Sequence, residues 1–170
     1  MARSKPSGTP ALVALQRAGI EHEVHAYDHD PTRADFGQEA VDALGLDADA
    51  VFKTLLADVD GSPVVAIVPV TGKLDLKALA ASRGGKRARM MEVAAAERVT
   101  GYVAGGISPL GQRTTLPTVL DASAMGQPVV YVSGGRRGLD VGLAPEDLVR
   151  MTHAHVAPIS TSAVAGDGQE

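Results

Sequence analysis

The chain has 170 residues, of which 45% are hydrophobic and 3% aromatic, and its formal net charge is −4. This length and composition predict one folded domain with a core of Ala, Val, Leu and Ile, and they exclude a disordered chain. The absence of cysteine excludes disulfides, thiolate zinc sites and cysteine nucleophiles.

The first predicted element is a helix that follows a flexible arm of residues 1–8. Thr9 is a suitable N-cap, and Pro10 fits the first helical position because its missing N–H is not needed there. Apolar residues at helical spacing continue to Gly19, which ends the helix. The alternation from Glu21 to Tyr27 then predicts a half-exposed strand.

The middle of the chain predicts a helix followed by a β-hairpin. An amphipathic pattern begins at Phe36 and ends at Gly45. Two apolar runs, at 51–57 and 63–70, flank the turn signal Asp60-Gly61. The later predicted elements are a helix marked by Leu74, Leu76, Leu79 and Ala80, a helix from Met90 to Val99, strands at 118–120, 129–133, 139–143 and 155–159, and a helix that starts at Pro145.

These elements mix helices and strands without strict alternation. The pattern therefore favours a single α+β domain, with a mixed β-sheet and peripheral helices, over a doubly wound parallel sheet. We expect this domain to span residues 9–159. The Ser-, Ala- and Gly-rich end of the chain, residues 160–170, is predicted to be a flexible tail.

The segment from Gly105 to Gly111 has the composition of a rigid loop with exposed N–H groups. On spacing alone, a tight structural turn and a ligand-binding loop fit it equally well. A nucleotide-triphosphate loop is excluded, because Gln112-Arg113 replaces the required Lys-Ser/Thr pair and Pro109 lacks an N–H. A second glycine-rich segment, 133–140, and an isolated lysine favour the binding interpretation.

That lysine, Lys53, interrupts an apolar strand and shares a face with Val51 and Leu55. Most such lysines are solvated residues of an edge strand. The alternative is a functional pocket, in which an ammonium group would suit a phosphate, a carboxylate or a developing oxyanion. The sequence pattern alone leaves both interpretations open.

Metal and catalytic-triad chemistry find little support. His22, His25 and His29 lie near one another in sequence, but none of their spacings matches a helical metal motif, so we predict no metal. Neither Ser108 nor Ser133 lies in a nucleophile elbow or has an assignable histidine partner.

Several short motifs occur in a specific order between residues 9 and 158, although each is weak alone. The motifs are Thr9-Pro10-Ala11, the segments 25–30, 51–55, 69–76 and 105–111, Thr100-Gly101-Tyr102, Tyr131 to Gly135, and Arg137 to Asp140. Together they resemble the YbaK/EbsC family of aminoacyl-tRNA deacylases, which are free-standing relatives of the editing domain of bacterial prolyl-tRNA synthetases. The glycine loop is most similar to the YbaK branch.

The resemblance implies a mixed sheet partly closed into a barrel, no cofactor, and hydrolysis of Cys-tRNA(Pro), with Cys-tRNA(Cys) as a further candidate substrate. It implies that the 3′ end of aminoacyl-tRNA is bound and that prolyl-tRNA synthetase is a partner. It makes Lys53 the residue most needed for deacylation. The other implied pocket residues are Tyr27, Phe36, Thr54, Gly105, Gly106, Ile107, Ser108, Pro109, Ser133, Gly134 and Asp140.

An aminoacyl ester is already activated, so a cysteinyl thiol could attack its own ester and leave as a thiolactone while the protein stabilises developing charge. Attack by water stays open. Two other functions also stay open: deacylation of alanyl- or seryl-tRNA, and a non-catalytic module that binds a nucleotide or a regulatory partner.

The sequence also gives expectations for location and partners. No apolar leader follows Met1, and the run from Val64 to Val70 is too short to cross a bilayer, so we expect a cytoplasmic protein without a membrane partner. The acidic charge predicts no binding to DNA and only a weak intrinsic grip on tRNA.

Overall fold

The computed structural model describes residues 8–162, and within them lie five α-helices and ten strands. The helices are α1 (Pro10–Ala18), α2 (Phe36–Leu44), α3 (Leu76–Ser82), α4 (Val93–Thr100) and α5 (Pro145–Thr152). The strands are β1 (Glu23–Ala26), β2 (Phe52–Val59), β3 (Ser62–Pro69), β4 (Gly72–Leu74), β5 (Ala88–Met90), β6 (Thr118–Asp121), β7 (Val130–Arg136), β8 (Leu139–Leu143), β9 (His155–Ala157) and β10 (Ser160–Ser162).

The strands form three sheets. The largest has the order β5-β2-β3-β6-β9, in which the hairpin β2–β3 is antiparallel and β6 and β9 are added in parallel. A second, antiparallel sheet has the order β1-β8-β7, and β4 pairs with β10. The mixed α+β architecture is confirmed. The described residues do not show a closed barrel, since the two larger sheets meet at an isolated bridge between Val51 and Tyr131.

The core lies on both faces of the five-stranded sheet. Alternate side chains of β2, such as Phe52 and Leu56, pack with α1, α4 and α5, whereas Ala57 and Val59 pack with α3. This division follows from the period of two in a strand, which sends neighbouring side chains to opposite faces.

Local signals correctly placed most helix ends and the hairpin. The Thr9 hydroxyl accepts the Leu12 N–H at the start of α1, as expected of an N-cap. α2 ends at Gly45, and the β2–β3 hairpin turns at Asp60-Gly61. No described helix is long and apolar enough to cross a membrane.

Two predicted helices begin later than expected. Leu74 belongs to β4, and α3 starts only after Asp75, whose carboxylate accepts the Ala78 N–H. Likewise, Met90 ends β5 and α4 starts at Val93. In both cases residues that fit a helical pattern form a strand instead, because β4 pairs with β10 and β5 pairs with β2, and both partners are distant in the chain.

The predicted last strand and tail also need correction. β9 ends at Ala157 rather than residue 159. Ser160–Ser162 is not a frayed tail but strand β10. Residues 163–170 lie outside the described residues, as does the predicted arm except Gly8.

Candidate active site

A cavity of about 470 Å³ opens between the two larger sheets. Its walls come from α2 and the turn before it, the first half of β2, the segment from the end of β5 to α4, the glycine loop, and the β7–β8 pair. Eight of the twelve residues that the resemblance implied line this cavity. They are Tyr27, Phe36, Lys53, Thr54, Gly105, Ile107, Ser133 and Asp140.

The cavity lies where the backbones of β2 and β7 are joined by one isolated bridge and form no continuous ladder. The bridge at Val51 and Tyr131 holds them together, while β5 begins to cover the outer edge of β2 only at Ala57. Between these two points the outer edge of β2 pairs with no described strand. Lys53 and Thr54 lie on this open edge, so both contribute to the wall although successive strand residues face opposite ways.

Lys53 is half-buried and makes no ion pair or hydrogen bond with any described residue. Burial lowers the pKa of its ammonium group, and the nearby charge of Lys73 lowers it further. A partly desolvated cation without a counter-ion gains from an anionic or strongly polar ligand. These features favour the pocket interpretation of Lys53 over the solvated-edge interpretation.

Thr54 supplies a second unsatisfied group. Its Oγ1 is buried and has no hydrogen-bond partner among residues 8–162. Leaving such a hydroxyl unpaired costs about 1–3 kcal/mol. Because Thr54 lines the cavity, a ligand that hydrogen-bonds to Oγ1 would recover this cost.

Asp140 and Tyr27 also line the cavity and, unlike Lys53, supply a carboxyl and a phenol group. Burial raises the pKa of Asp140 to about 7, and the charge of His25, its register partner on β1, only partly offsets this. No described residue donates a hydrogen bond to the Asp140 side chain. Burial, followed by the charge of Asp140, raises the pKa of Tyr27 to about 12, so its hydroxyl stays protonated.

Phe36 connects α2 to the glycine loop. A Cβ on Gly105 would lie 2.7 Å from its ring, which shows how closely the ring covers the loop. The guanidinium carbon of Arg137 lies 5.1 Å from the ring centroid, and Arg137 Nε donates to the Ala104 carbonyl at 2.8 Å. Arg137 thus holds the loop and Phe36 together through a cation–π contact and a hydrogen bond.

The glycine loop offers two free backbone donors. The N–H of Gly106 donates to the Val103 carbonyl at 2.9 Å and is unavailable to a ligand. The N–H groups of Gly105 and Ile107 make no hydrogen bond with described residues, and both residues line the cavity. Free backbone N–H groups two residues apart on a cavity wall suit an oxyanion or a phosphate.

The other four implied residues lie behind the wall. Ser108 is fully buried and its Oγ accepts the Leu110 N–H at 3.2 Å, while Gly134 accepts a hydrogen bond from Thr9 through its carbonyl. A Cβ on Gly106 would lie 2.7 Å from Arg136 Cα, so the absence of a side chain lets two backbones approach. Gly106, Ser108, Pro109 and Gly134 do not line the cavity.

A pair of a partly buried histidine and a buried glutamate lies beside the cavity and was not predicted from the sequence. His29 Nδ1 lies 2.7 Å from Glu39 Oε1, and Glu39 Oε2 accepts the Asp30 N–H at 2.7 Å. Burial would raise the pKa of Glu39, but these two bonds and the neighbouring positive charges bring it below its ordinary value. A glutamate one turn after Phe36 on the apolar face of α2 was the available signal.

Much of the apolar lining of the cavity was not predicted from the sequence, including the residues between β5 and α4. Met90, Met91 and Val93 form an apolar wall, and their role was not recognised because the helix α4 was predicted to start at Met90.

The three histidines weighed as metal ligands have separate partners: His22 contacts the Ile20 carbonyl, His25 contacts Glu23, and His29 contacts Glu39. Within residues 8–162 no cluster of three His, Asp or Glu side chains could hold a metal.

Comparison with known proteins identifies the family. Residues 30–151 match the model of the aminoacyl-tRNA editing domain, a span that includes most of the cavity wall. The chain belongs to this family. It is accordingly an aminoacyl-tRNA deacylase, a hydrolase whose substrate is aminoacyl-tRNA.

Individual relatives agree with the family. EbsC of Enterococcus faecalis, named as a candidate Cys-tRNA(Pro)/Cys-tRNA(Cys) deacylase, is 37% identical over 125 residues, which are 73% of this chain and 76% of EbsC. The structure of a candidate trans-editing enzyme for prolyl-tRNA synthetase matches with a TM-score of 0.79 at 26% identity, covering 90% of this chain and 96% of that one. The hypothetical protein APE2540 matches with a TM-score of 0.77 at 26% identity, covering 86% and 96%.

Proposed function

We propose that the protein removes cysteine from mischarged Cys-tRNA(Pro) in trans, and that Lys53 is the residue most needed for the reaction. The names of EbsC and of the trans-editing neighbour support this substrate. The observation that carries the proposal is a set of unpaired donors around one cavity. They are the Lys53 ammonium, the Thr54 hydroxyl and the N–H groups of Gly105 and Ile107.

These donors suit the charge that develops during ester cleavage. As the ester carbonyl carbon becomes tetrahedral, its oxygen gains negative charge, and fixed donors in a partly dry cavity stabilise it. The half-buried ammonium of Lys53 adds a full positive charge to the two neutral N–H groups. Removing one such donor costs about 10²–10³ in rate in other acyl-transfer enzymes.

The attacking group we propose is the substrate thiol. Its sulfur loses a proton and forms a bond to the ester carbon; the bond to the ribose oxygen then breaks, that oxygen takes up a proton, and a cyclic thiolactone leaves. Asp140 is suited to accept the thiol proton, because burial raises its pKa to about 7.

A panel of mischarged tRNAs tests the function. Wild-type protein should release cysteine from Cys-tRNA(Pro), and Lys53→Ala should slow this at least about a hundredfold because an oxyanion donor is lost. Lys73→Ala is the matched control, since Lys73 is an exposed neighbouring lysine outside the cavity wall and its loss should leave turnover near wild type. Equal turnover by the wild type and Lys53→Ala would remove Lys53 from the mechanism.

The same panel separates the remaining alternatives. Rapid hydrolysis of Ser-tRNA would indicate attack by water, because a hydroxyl is a far weaker internal nucleophile than a thiol. Preference for alanyl- or seryl-tRNA would indicate a sister specificity. Turnover at the background rate for every substrate would indicate a binding module.

We also propose that the protein acts in the cytoplasm beside prolyl-tRNA synthetase. A net charge of −4 supports only a weak intrinsic grip on tRNA, so a synthetase that retains the mischarged tRNA would raise its local concentration. Adding the synthetase should lower the KM for Cys-tRNA(Pro). An unchanged KM would show that the protein captures tRNA alone.

A further inference from the structure

A strongly basic segment lies next to the cavity on a chain that is acidic overall. Arg83, Lys86, Arg87 and Arg89 are all exposed, and none of them makes an ion pair with a described residue. The first acidic residue that follows is Glu92. We call residues 83–89 the basic segment.

The basic segment is held in place by the tip of the β2–β3 hairpin. Asp60 accepts the N–H of Lys86 at 2.8 Å and the N–H of Arg87 at 3.0 Å, and its own N–H donates to the Arg87 carbonyl at 2.9 Å. A Cβ on Gly85 would lie 2.8 Å from the Asp60 carboxylate, so the contact is close. The carboxylate is thus used by backbone donors, and the cationic side chains remain exposed.

The segment runs directly into the cavity wall. Arg89 is followed by the lining residues Met90, Met91 and Val93, and the side chains of Met90 and Val93 are 48% and 61% exposed. Arg89 lies within β5, and at about 3.3 Å per strand residue it is within one nucleotide length of the lining residue Met90. An exposed apolar rim beside a basic surface is suited to bases and phosphates together.

The α2 wall of the same cavity has the opposite charge. Residues 28–42 contain five acidic residues and one arginine, and they include the lining residues Asp35 and Phe36. The arginine, Arg33, is already paired with Asp35 at 2.8 Å and with Asp42 at 3.1 Å. Arg137 lies over Phe36 and adds one further positive charge, but the acidic residues still outnumber the two arginines. This wall therefore repels a polyanion, whereas the β5 wall attracts one.

We propose that the acceptor end of the tRNA leaves the cavity over β5, with its phosphates contacting the basic segment and not the α2 wall. This inference rests on the proposed function, because it needs a tRNA whose 3′ end occupies the cavity. It assigns to residues 83–89 a direct contact with nucleic acid that their composition alone did not establish.

The test compares two double variants on two substrates. Arg87→Gln/Arg89→Gln removes two charges from the basic segment, and Arg17→Gln/Arg150→Gln removes two exposed charges from α1 and α5, outside the cavity wall. Each is assayed on Cys-tRNA(Pro) and on cysteinyl-adenosine, which has no phosphate. The first variant should raise the KM for the tRNA roughly tenfold and lower the slope of log binding constant against log salt by about 2.

Its turnover of cysteinyl-adenosine should stay at the wild-type value, and the control variant should leave both substrates unaffected. An equal loss on both substrates would mean that the cavity itself is damaged, and an equal loss in the control would mean a general charge effect; either overturns the proposal. Fluorescence anisotropy with uncharged tRNA measures binding to the basic segment without catalysis. If the wild type hydrolyses neither substrate, the proposed function fails. Weaker tRNA binding by Arg87→Gln/Arg89→Gln alone would still support the contact with the basic segment, and unchanged binding would overturn it.

Discussion

The two halves of the loop from Ala104 to Gly111 have similar compositions and different environments. In the first half, residues 104–107, Ala104, Gly105 and Ile107 line the cavity, and the N–H groups of Gly105 and Ile107 make no hydrogen bond with described residues. In the second half, residues 108–111, Ser108, Pro109 and Leu110 are buried, and the exposed Gly111 lies against the Pro10 backbone at the start of α1. There the Ser108 hydroxyl accepts the Leu110 N–H, and Tyr102 donates its hydroxyl proton to the Leu110 carbonyl at 2.6 Å.

A glycine-rich composition therefore does not by itself identify a binding loop. The role of each glycine depends on the group packed against it: Gly105 lies under the Phe36 ring, and Gly111 lies against the Pro10 backbone. The second half holds the first half in position for a ligand. Substitutions should therefore separate into losses of stability and losses of activity.

The largest effect is expected from Gly111→Ala. Gly111 has a φ of +65°, and a Cβ there would lie 2.4 Å from the Pro10 carbonyl oxygen, which cannot move without shifting α1. We expect a loss of at least about 3 kcal/mol in the free energy of unfolding, measured by urea denaturation. Gly126→Ala is the control, because nothing lies within 4 Å of that Cβ position. Similar stability of the two variants would contradict the supporting role of the second half.

Gly105→Ala tests the first half of the loop and should reduce activity more than stability. Its φ of +85° disfavours a side chain, and the new methyl group would lie 2.7 Å from the Phe36 ring, which lines the cavity and would have to shift. Because a ring can move, we expect only about 1–2 kcal/mol of destabilisation. Deacylation, measured as kcat/KM, should fall by roughly tenfold or more since the oxyanion donors shift. A variant with wild-type turnover would show that the first half tolerates displacement.

The burial of Asp140 in the cavity wall should make the free energy of unfolding depend on pH. Burial raises its pKa from the ordinary range to about 7 in the folded protein, so the folded state binds more protons than the unfolded state between about pH 4 and pH 7. Stability should therefore fall as pH rises through this window, by up to about 1 kcal/mol per pH unit, and level off above it. Asp140→Asn should flatten this dependence in urea titrations. An unchanged slope would show that another group is responsible.

The smallest expected effect separates two serines. Ser108→Ala removes a buried hydroxyl that caps the Leu110 N–H, and should cost about 1 kcal/mol of stability without changing the kcat of the folded protein. Ser133→Ala alters the cavity wall and should change KM; it also removes the acceptor of the part-buried Gly135 N–H, so it should cost no more stability than Ser108→Ala. A change in KM for Ser108→Ala together with a larger loss of stability for Ser133→Ala would contradict these roles.

Sequence reasoning recovered the elements whose signals are local. The Thr9 cap, the α2 helix from Phe36 and the Asp60-Gly61 hairpin all depend on residues within a few positions of one another. It failed at Leu74 and Met90, because their strand partners lie far away in the chain. The resemblance named twelve site residues, yet it could not separate the eight that line the cavity from the four behind it.

By itself the sequence determined the family, the mixed α+β class and most helix ends, since capping, turn formation and apolar periodicity are short-range effects. The tertiary structure decided which donors are free. The separation of β2 from β7 leaves Lys53 and Thr54 on an open edge, while the contact of Gly106 with Val103 consumes one N–H of the loop. Hydrogen-bond satisfaction and burial depend on partners distant in the chain, and only the folded arrangement brings those partners together.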